Sequence, residues 1–153
     1  MMDTNFLSSG TSLIKTSSNV EDVYEVLSRE LKMKNHSIFM LGFCIGYHSG
    51  EKCENLELKG KEFRSSYLSE KQQGILYAVG INEGILDEDS ASYTDPQKQQ
   101  ALRKLWLEYS ASGLLQLKAK FEENGKALGD QKKLDLLSGI LQYFIDSKEE
   151  IPF

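Results

Sequence analysis

Cys44, His48, Cys53 and His36 are the side chains whose types and spacing come nearest to a reactive site. The chain has only two cysteines and two histidines. Cys44 and His48 are four residues apart, so on a helix they share a face. Cys53 follows within reach, and His36 lies two turns back. Side chains of these types bind zinc, but neither a CxxC nor an HExxH spacing is present. A buried thiol beside a histidine near a helix C-terminus, where positive charge is favourable, accounts for the pair better. A Cys44/His48 nucleophile–base dyad would need an exposed thiol in electropositive surroundings. Cys44 instead lies in an apolar run and reads as a small core residue. The sequence therefore predicts no metal site, no cofactor and no catalytic residue.

Two charged stretches point elsewhere. Asp87, Glu88 and Asp89 suggest a cation loop, but an EF-hand counted from Asp87 would need Gly and Glu where Ser92 and Lys98 stand. A solvated acidic loop that complements a basic partner is the expectation. Lys59, Lys61, Arg64 and Lys71 form the candidate nucleic-acid contact, with Lys52 before them and Tyr67 available for stacking. Glu51, Glu54, Glu57, Glu62 and Glu70 are interleaved, so the stretch is locally neutral and reads first as ordinary charged surface. A formal net charge of −5 and a pI of about 5.1 argue against a protein that holds nucleic acid by itself. Contact with nucleic acid within a larger complex stays compatible with them. No Gly-rich phosphate loop or Ser/His/Asp set is present.

The elements that would carry these residues are helices. HSIFMLGFCIGYHSG, from His36 to Gly50, is apolar on all sides of a helical wheel yet too short to span a bilayer, so it must be buried in a protein core. Gly42, Gly46 and Gly50 recur every fourth residue and predict a face without side chains. The small residues Ser110, Ala111 and Gly113 are the expected partner surface. Before the buried helix, Asn19 is the expected cap of an amphipathic helix reaching about Met33. After it, a brief strand pair around Lys59–Gly60 is one reading of the polar connection. Ser69 and Gln72 have capping-box spacing, and Asp95-Pro96 opens the longest helix, in which Gly113 suggests a bend. Asp130 is the expected cap of a last helix whose apolar stripe is Leu134, Leu137, Ile140, Leu141 and Phe144. These elements predict an all-α, single-domain bundle of about five helices over residues 19–150. Residues 1–18 are read as a flexible arm, with docking of Phe6, Leu7, Leu13 and Ile14 as the alternative.

The opening residues MMDTNFLSSG lack a basic region and a long apolar stretch, so a cytoplasmic protein with reduced thiols is expected, rather than one with a Cys44–Cys53 disulfide. The segments LGFCIGYHSGEK and LEYSASGLLQLK carry a family resemblance. Gly46, Tyr47 and Gly50 match an apolar helix closing on a Gly-Tyr-x-x-Gly turn. Glu108, Tyr109, Ala111, Gly113 and Leu114 match a Glu-Glu-Tyr-Ala-x-Gly-Leu segment, although Leu107 replaces the first acid and Ser110 intrudes. In this the chain resembles Dnd system-associated protein 4, a small helical protein found with bacterial DNA-phosphorothioation systems. The resemblance implies a non-catalytic accessory subunit of an anti-phage defence complex, mediating assembly with a larger ATPase, helicase or nuclease. It assigns no active-site residue. A DNA-binding or regulatory protein of a defence or mobile-element locus is the alternative. The small middle subunit of a three-component ATPase defence system would look the same at this level. Tyr67, Tyr93 and Phe153, aromatics in polar surroundings, are the candidate interface anchors.

Overall fold

A computed structural model describes Leu7, residues 13–87 and residues 94–149. Among the described residues there are five α-helices: α1 (Glu21–Leu31), α2 (Asn35–Ser49), α3 (Glu70–Asn82), α4 (Pro96–Glu122) and α5 (Lys133–Glu149). Two three-residue strands, β1 (Leu13–Lys15) and β2 (Glu62–Arg64), pair antiparallel with Ile14 opposite Phe63. The helical bundle expected from periodicity is therefore the fold. No helix among the described residues is long and apolar enough to cross a membrane.

The centre is the contact between α2 and α4, the most extensive in the molecule. A side chain at Gly46 would collide with the Tyr109 carbonyl, and one at Gly113 with the Gly42 carbonyl. At Gly42 a Cβ would meet the Ser110 oxygen and, at 2.6 Å, Leu114 Cγ. The two backbones thus touch directly, closer than the roughly 8–10 Å axial spacing that side chains normally impose. Around this crossing Trp106 is fully buried, and its indole N–H donates to the Leu76 carbonyl at 2.9 Å. Phe43 and Tyr47 stack, and Tyr109 meets both rings edge-on. Ser110 Oγ donates to the Phe39 carbonyl at 2.8 Å, so its hydroxyl is satisfied inside the contact. Ala111 is buried in the same stretch. α4 runs unbroken through Gly113, whose missing side chain serves the contact with α2.

Local signals set several ends. Ser69 and Gln72 form both halves of a capping box on α3, and Asp95 caps α4 with Pro96 in its first turn. Other ends differ from expectation. Ser17, not Asn19, caps a 3₁₀ turn over Ser18–Val20, and α1 starts only at Glu21. It stops at Lys32, whose φ of 58° is left-handed. Asp130 lies in a 3₁₀ turn and does not cap α5. Asp135 takes that role from inside the helix, its carboxylate accepting the Lys132 N–H at 2.9 Å. Gly50 does not pack against α4. It ends α2 at φ 75°, with its N–H on the Gly46 and Tyr47 carbonyls and open space where a Cβ would be.

The polar connection forms no hairpin at Lys59–Gly60. Its strand β2 pairs with β1, which lies within the expected arm. Ile14 is buried there, and Leu7 is fully buried with its N–H toward the Tyr77 hydroxyl and its carbonyl accepting from Ser65. The docking alternative thus holds for Leu7 and Ile14. Leu13 is exposed, and Phe6 lies outside the described residues.

Candidate interaction surface

α5 is the element whose apolar residues exceed what the fold covers. Its inner side is Leu136, Gly139, Ile140 and Tyr143. Leu136 is fully buried, Ile140 and Tyr143 pack on the core, and Gly139 lets the Phe121 ring approach. Asp135, Gln142 and Asp146 fall together on the polar side by helical spacing. Asp135 pairs with Lys126 at 3.0 Å and Asp146 with Lys120 at 2.7 Å. The remaining side faces solvent and is apolar. Leu134 is 80% exposed, Leu141 62%, Phe144 49%, Leu137 45% and Ile145 42%. The stripe seen in the sequence is therefore split. Ile140 turns inward, while Leu134, Leu137, Leu141 and Phe144 turn outward with the 3–4 spacing of a helix–helix seam. Soluble monomers mostly scatter exposed apolar residues singly, and here five lie in one row.

The apolar strip continues across α2. Cys44 and His48 border a shallow groove of about 330 Å³ shared with Tyr143, Phe144 and Lys148. They also border a groove of about 530 Å³ on their other side, shared with Tyr47, Ile75, Glu83 and Tyr109. The pair thus forms the ridge between two grooves. This corrects the reading of Cys44 as a core residue: it is exposed, because α2 is covered by α4 and α1 but not along this line. Its apolar neighbours still push the thiol pKa up through partial burial, the wrong direction for a nucleophile. In the second groove the Tyr109 hydroxyl donates to Glu83 at 2.6 Å. Burial and that carboxylate push its pKa up to about 12.

The structure does not bring the candidate metal ligands together. The Cys53 N–H is tied to the Glu108 carbonyl at 3.0 Å, and His36 lies against Phe63 and Tyr67 at ring distances of 6.3 and 6.0 Å. Both cysteines are free thiols. Among the described residues no group of three or more His, Cys, Asp or Glu side chains is placed to hold a metal ion. Of the candidate nucleic-acid contacts, Lys59, Arg64 and Lys71 are exposed, whereas Lys61 is half-buried and pairs with Glu21 at 3.6 Å. They come from the loop before β2, from β2 itself and from α3, with no common helix face to align them. Tyr67 is exposed, while Tyr93, Phe153, Glu88 and Asp89 lie outside the described residues.

His36 gives a pH prediction. Burial, with a smaller push from Lys34, holds its imidazole below the ordinary value of 6.5. The fold thus prefers the neutral ring, so its contribution is complete above about pH 6.5 and is lost as pH falls through the depressed value. Urea midpoints at pH 7.5, 6.5 and 5.5 are expected to decline for the native chain and to decline less for His36→Phe. Parallel declines in the two proteins would show that His36 is not the titrating group.

Comparison with protein-family models, with curated proteins and with solved structures finds no match to this chain.

Proposed function

We propose that this protein is a non-catalytic accessory subunit that assembles with a larger protein through the outer side of α5. The single observation that carries this reading is the exposed row Leu134, Leu137, Leu141, Phe144 and Ile145 on a helix whose other apolar side is already packed. A helix that is apolar on two sides is stable in water only at the cost of exposed hydrocarbon, and a partner removes that cost. The setting, an anti-phage defence complex with an ATPase, helicase or nuclease, is supported by the resemblance of the Gly46–Gly50 and Glu108–Leu114 segments to Dnd system-associated protein 4.

The test is purification of the tagged protein from its native host at near-endogenous level, with mass spectrometry of what co-elutes. A stoichiometric ATPase, helicase or nuclease is the expected result. Leu141→Asp, at an exposed position in the middle of the row, is expected to weaken that association by roughly 30-fold or more, as loss of a central anchor does. Its circular dichroism and urea midpoint should stay close to those of the native chain. Recovery of the protein alone would remove the adaptor reading.

A further inference from the structure

We infer that a cleft beside α4 binds a small ligand that joins the N–H edge of guanine to an acidic tail, with Glu108 reading that edge. The cleft measures about 1000 Å³, the upper end of the range for small-molecule sites. It is lined by α4, β1 and the segment 52–58, and by no described residue of α5. The inference is therefore independent of the assembly role proposed above. Along α4, Gln97, Ala101, Lys104 and Glu108 line the cleft at i, i+4, i+7 and i+11, which puts them on one side of the helix. The first three are exposed.

Glu108 differs from them. It is only 8% exposed, and the chain crosses α4 beside it, with the Cys53 N–H on the Glu108 carbonyl at 3.0 Å. That bond uses the backbone. Among the described residues the side-chain carboxylate makes neither a hydrogen bond nor an ion pair, although Lys104 stands one turn before it. A carboxylate has only acceptors, and one removed from water needs donors to offset its lost hydration. The ligand therefore brings N–H groups to Glu108.

The remaining charges decide what kind of donor it is. Besides Glu108 the cleft is lined by Glu54, Lys15, Lys52, Arg103 and Lys104. Arg103 is already engaged, and the Lys52 ammonium stands 5.8 Å from the centre of the Tyr109 ring. An amine or guanidinium would meet these cations on its way to Glu108 and is disfavoured. A neutral edge is not. Two parallel N–H groups match a carboxylate best, as its bidentate pairs show. Among nucleobases guanine alone presents two neutral ones side by side, from N1 and the 2-amino group. Adenine and cytosine set a bare ring nitrogen beside the amino group, and uracil flanks its single N–H with carbonyls. Each of these turns a lone pair toward the carboxylate. Leu56, Leu58 and Leu107 offer apolar surface to a flat ring, and Leu58, 43% exposed, gains by being covered. Lys15, Lys52 and Lys104 are exposed and suit a phosphate or carboxylate at the ligand's other end. Guanine nucleotides and acidic pterins both combine these three parts.

The test is equilibrium dialysis of the full chain against guanosine, inosine and adenosine 5′-monophosphates and against folic acid, with unphosphorylated guanosine alongside. The guanine nucleotide or folate is expected to bind about tenfold or more tightly than the adenine nucleotide, and whichever of the two binds better names the source. Inosine monophosphate, which lacks only the 2-amino group, should also fall about tenfold behind the guanine nucleotide if that is the source. Glu108→Gln keeps the shape of the side chain and should erase the preference over adenine, with circular dichroism and urea midpoint close to those of the native chain. Lys52→Ala with Lys104→Ala, both at exposed positions, should weaken the phosphorylated or carboxylated ligand several-fold, as added salt does, and leave guanosine unchanged. This double variant keeps the test open should Glu108→Gln fail to fold. Three results overturn the inference. They are no binding of either guanine nucleotide or folate at millimolar concentration, equal binding of all the nucleotides, and a preference that survives Glu108→Gln.

Discussion

Gly113→Val is expected to remove more than about 3 kcal/mol of stability, the upper range for overpacking and a large share of a small domain's margin. The reason is what the new carbon would meet. At Gly113 it falls on the Gly42 carbonyl, and at Gly46 on that of Tyr109. Both obstacles are backbone, held by the hydrogen bonds of long helices, so neither can swing aside as a side-chain tip would. Relief requires α2 and α4 to separate, and that opens the contact between Trp106, Phe43, Tyr109 and their neighbours. Gly46→Val should behave the same way. Two other glycines serve as controls. Gly50→Ala should cost only about 1 kcal/mol, from its left-handed backbone. Gly74→Ala, in an open helical position of α3, should stabilise by about 0.5–1 kcal/mol. Urea midpoints of the four variants check the series. A Gly113→Val protein as stable as Gly50→Ala would mean that the two helices do not meet through their backbones.

Gln131→Leu is the second large effect, with an expected loss of about 2–4 kcal/mol. Gln131 has no exposed surface. Its two amide hydrogens are shared among the Phe121 carbonyl at 3.0 Å, Asn124 Oδ1 at 3.0 Å and the Lys126 carbonyl at 2.9 Å. Its own oxygen accepts from Asn124 at 2.9 Å. Phe121 stands one residue from the end of α4, where the last carbonyls have no partner within the helix. The glutamine supplies the donor that a longer helix would have supplied. Leucine fills the space and donates nothing, which takes this donor from the buried Phe121 carbonyl. Gln131→Glu keeps the shape, loses the donors and adds charge, so it should cost at least as much. Thermal unfolding and hydrogen exchange read the result, with early loss of protection expected in α5, whose start follows this plug. A Gln131→Leu protein with native stability would show that these bonds form no net contribution.

The positions read correctly from sequence are those where the chemistry is local. Ser69 and Gln72 cap α3 because three residues of spacing bring a hydroxyl and an amide onto each other's backbone N–H. Asp95-Pro96 opens α4 because proline tolerates only the first turn. Gly42, Gly46 and Gly113 matched because a helix apolar all round needs a partner close by, and only small residues permit it. Gly50 continued the same four-residue rhythm for a different reason, since the left-handed turn that ends α2 also demands glycine. Spacing alone does not separate the two uses.

Cys44 and α5 show the other limit. An apolar run states that its residues prefer to leave water, not which of them will. Cys44 shares its run with Phe39, Phe43 and Ile45, yet those three are buried and it is left on a ridge. Leu134, Leu137, Ile140, Leu141 and Phe144 read as one stripe, but the approach of α5 to α4 around Gly139 and Phe121 splits them. Leu7 and Ile14 sit in a stretch of polar composition, and their burial depends on β2 and Tyr77, about fifty and seventy residues downstream. The sequence by itself determined which segments are helical, where α3 and α4 begin, and that two helices touch through glycine. The tertiary structure decided which apolar surface is spent inside the fold and which stays exposed. That division follows from how the helices approach one another, a property of the whole chain that no local pattern encodes.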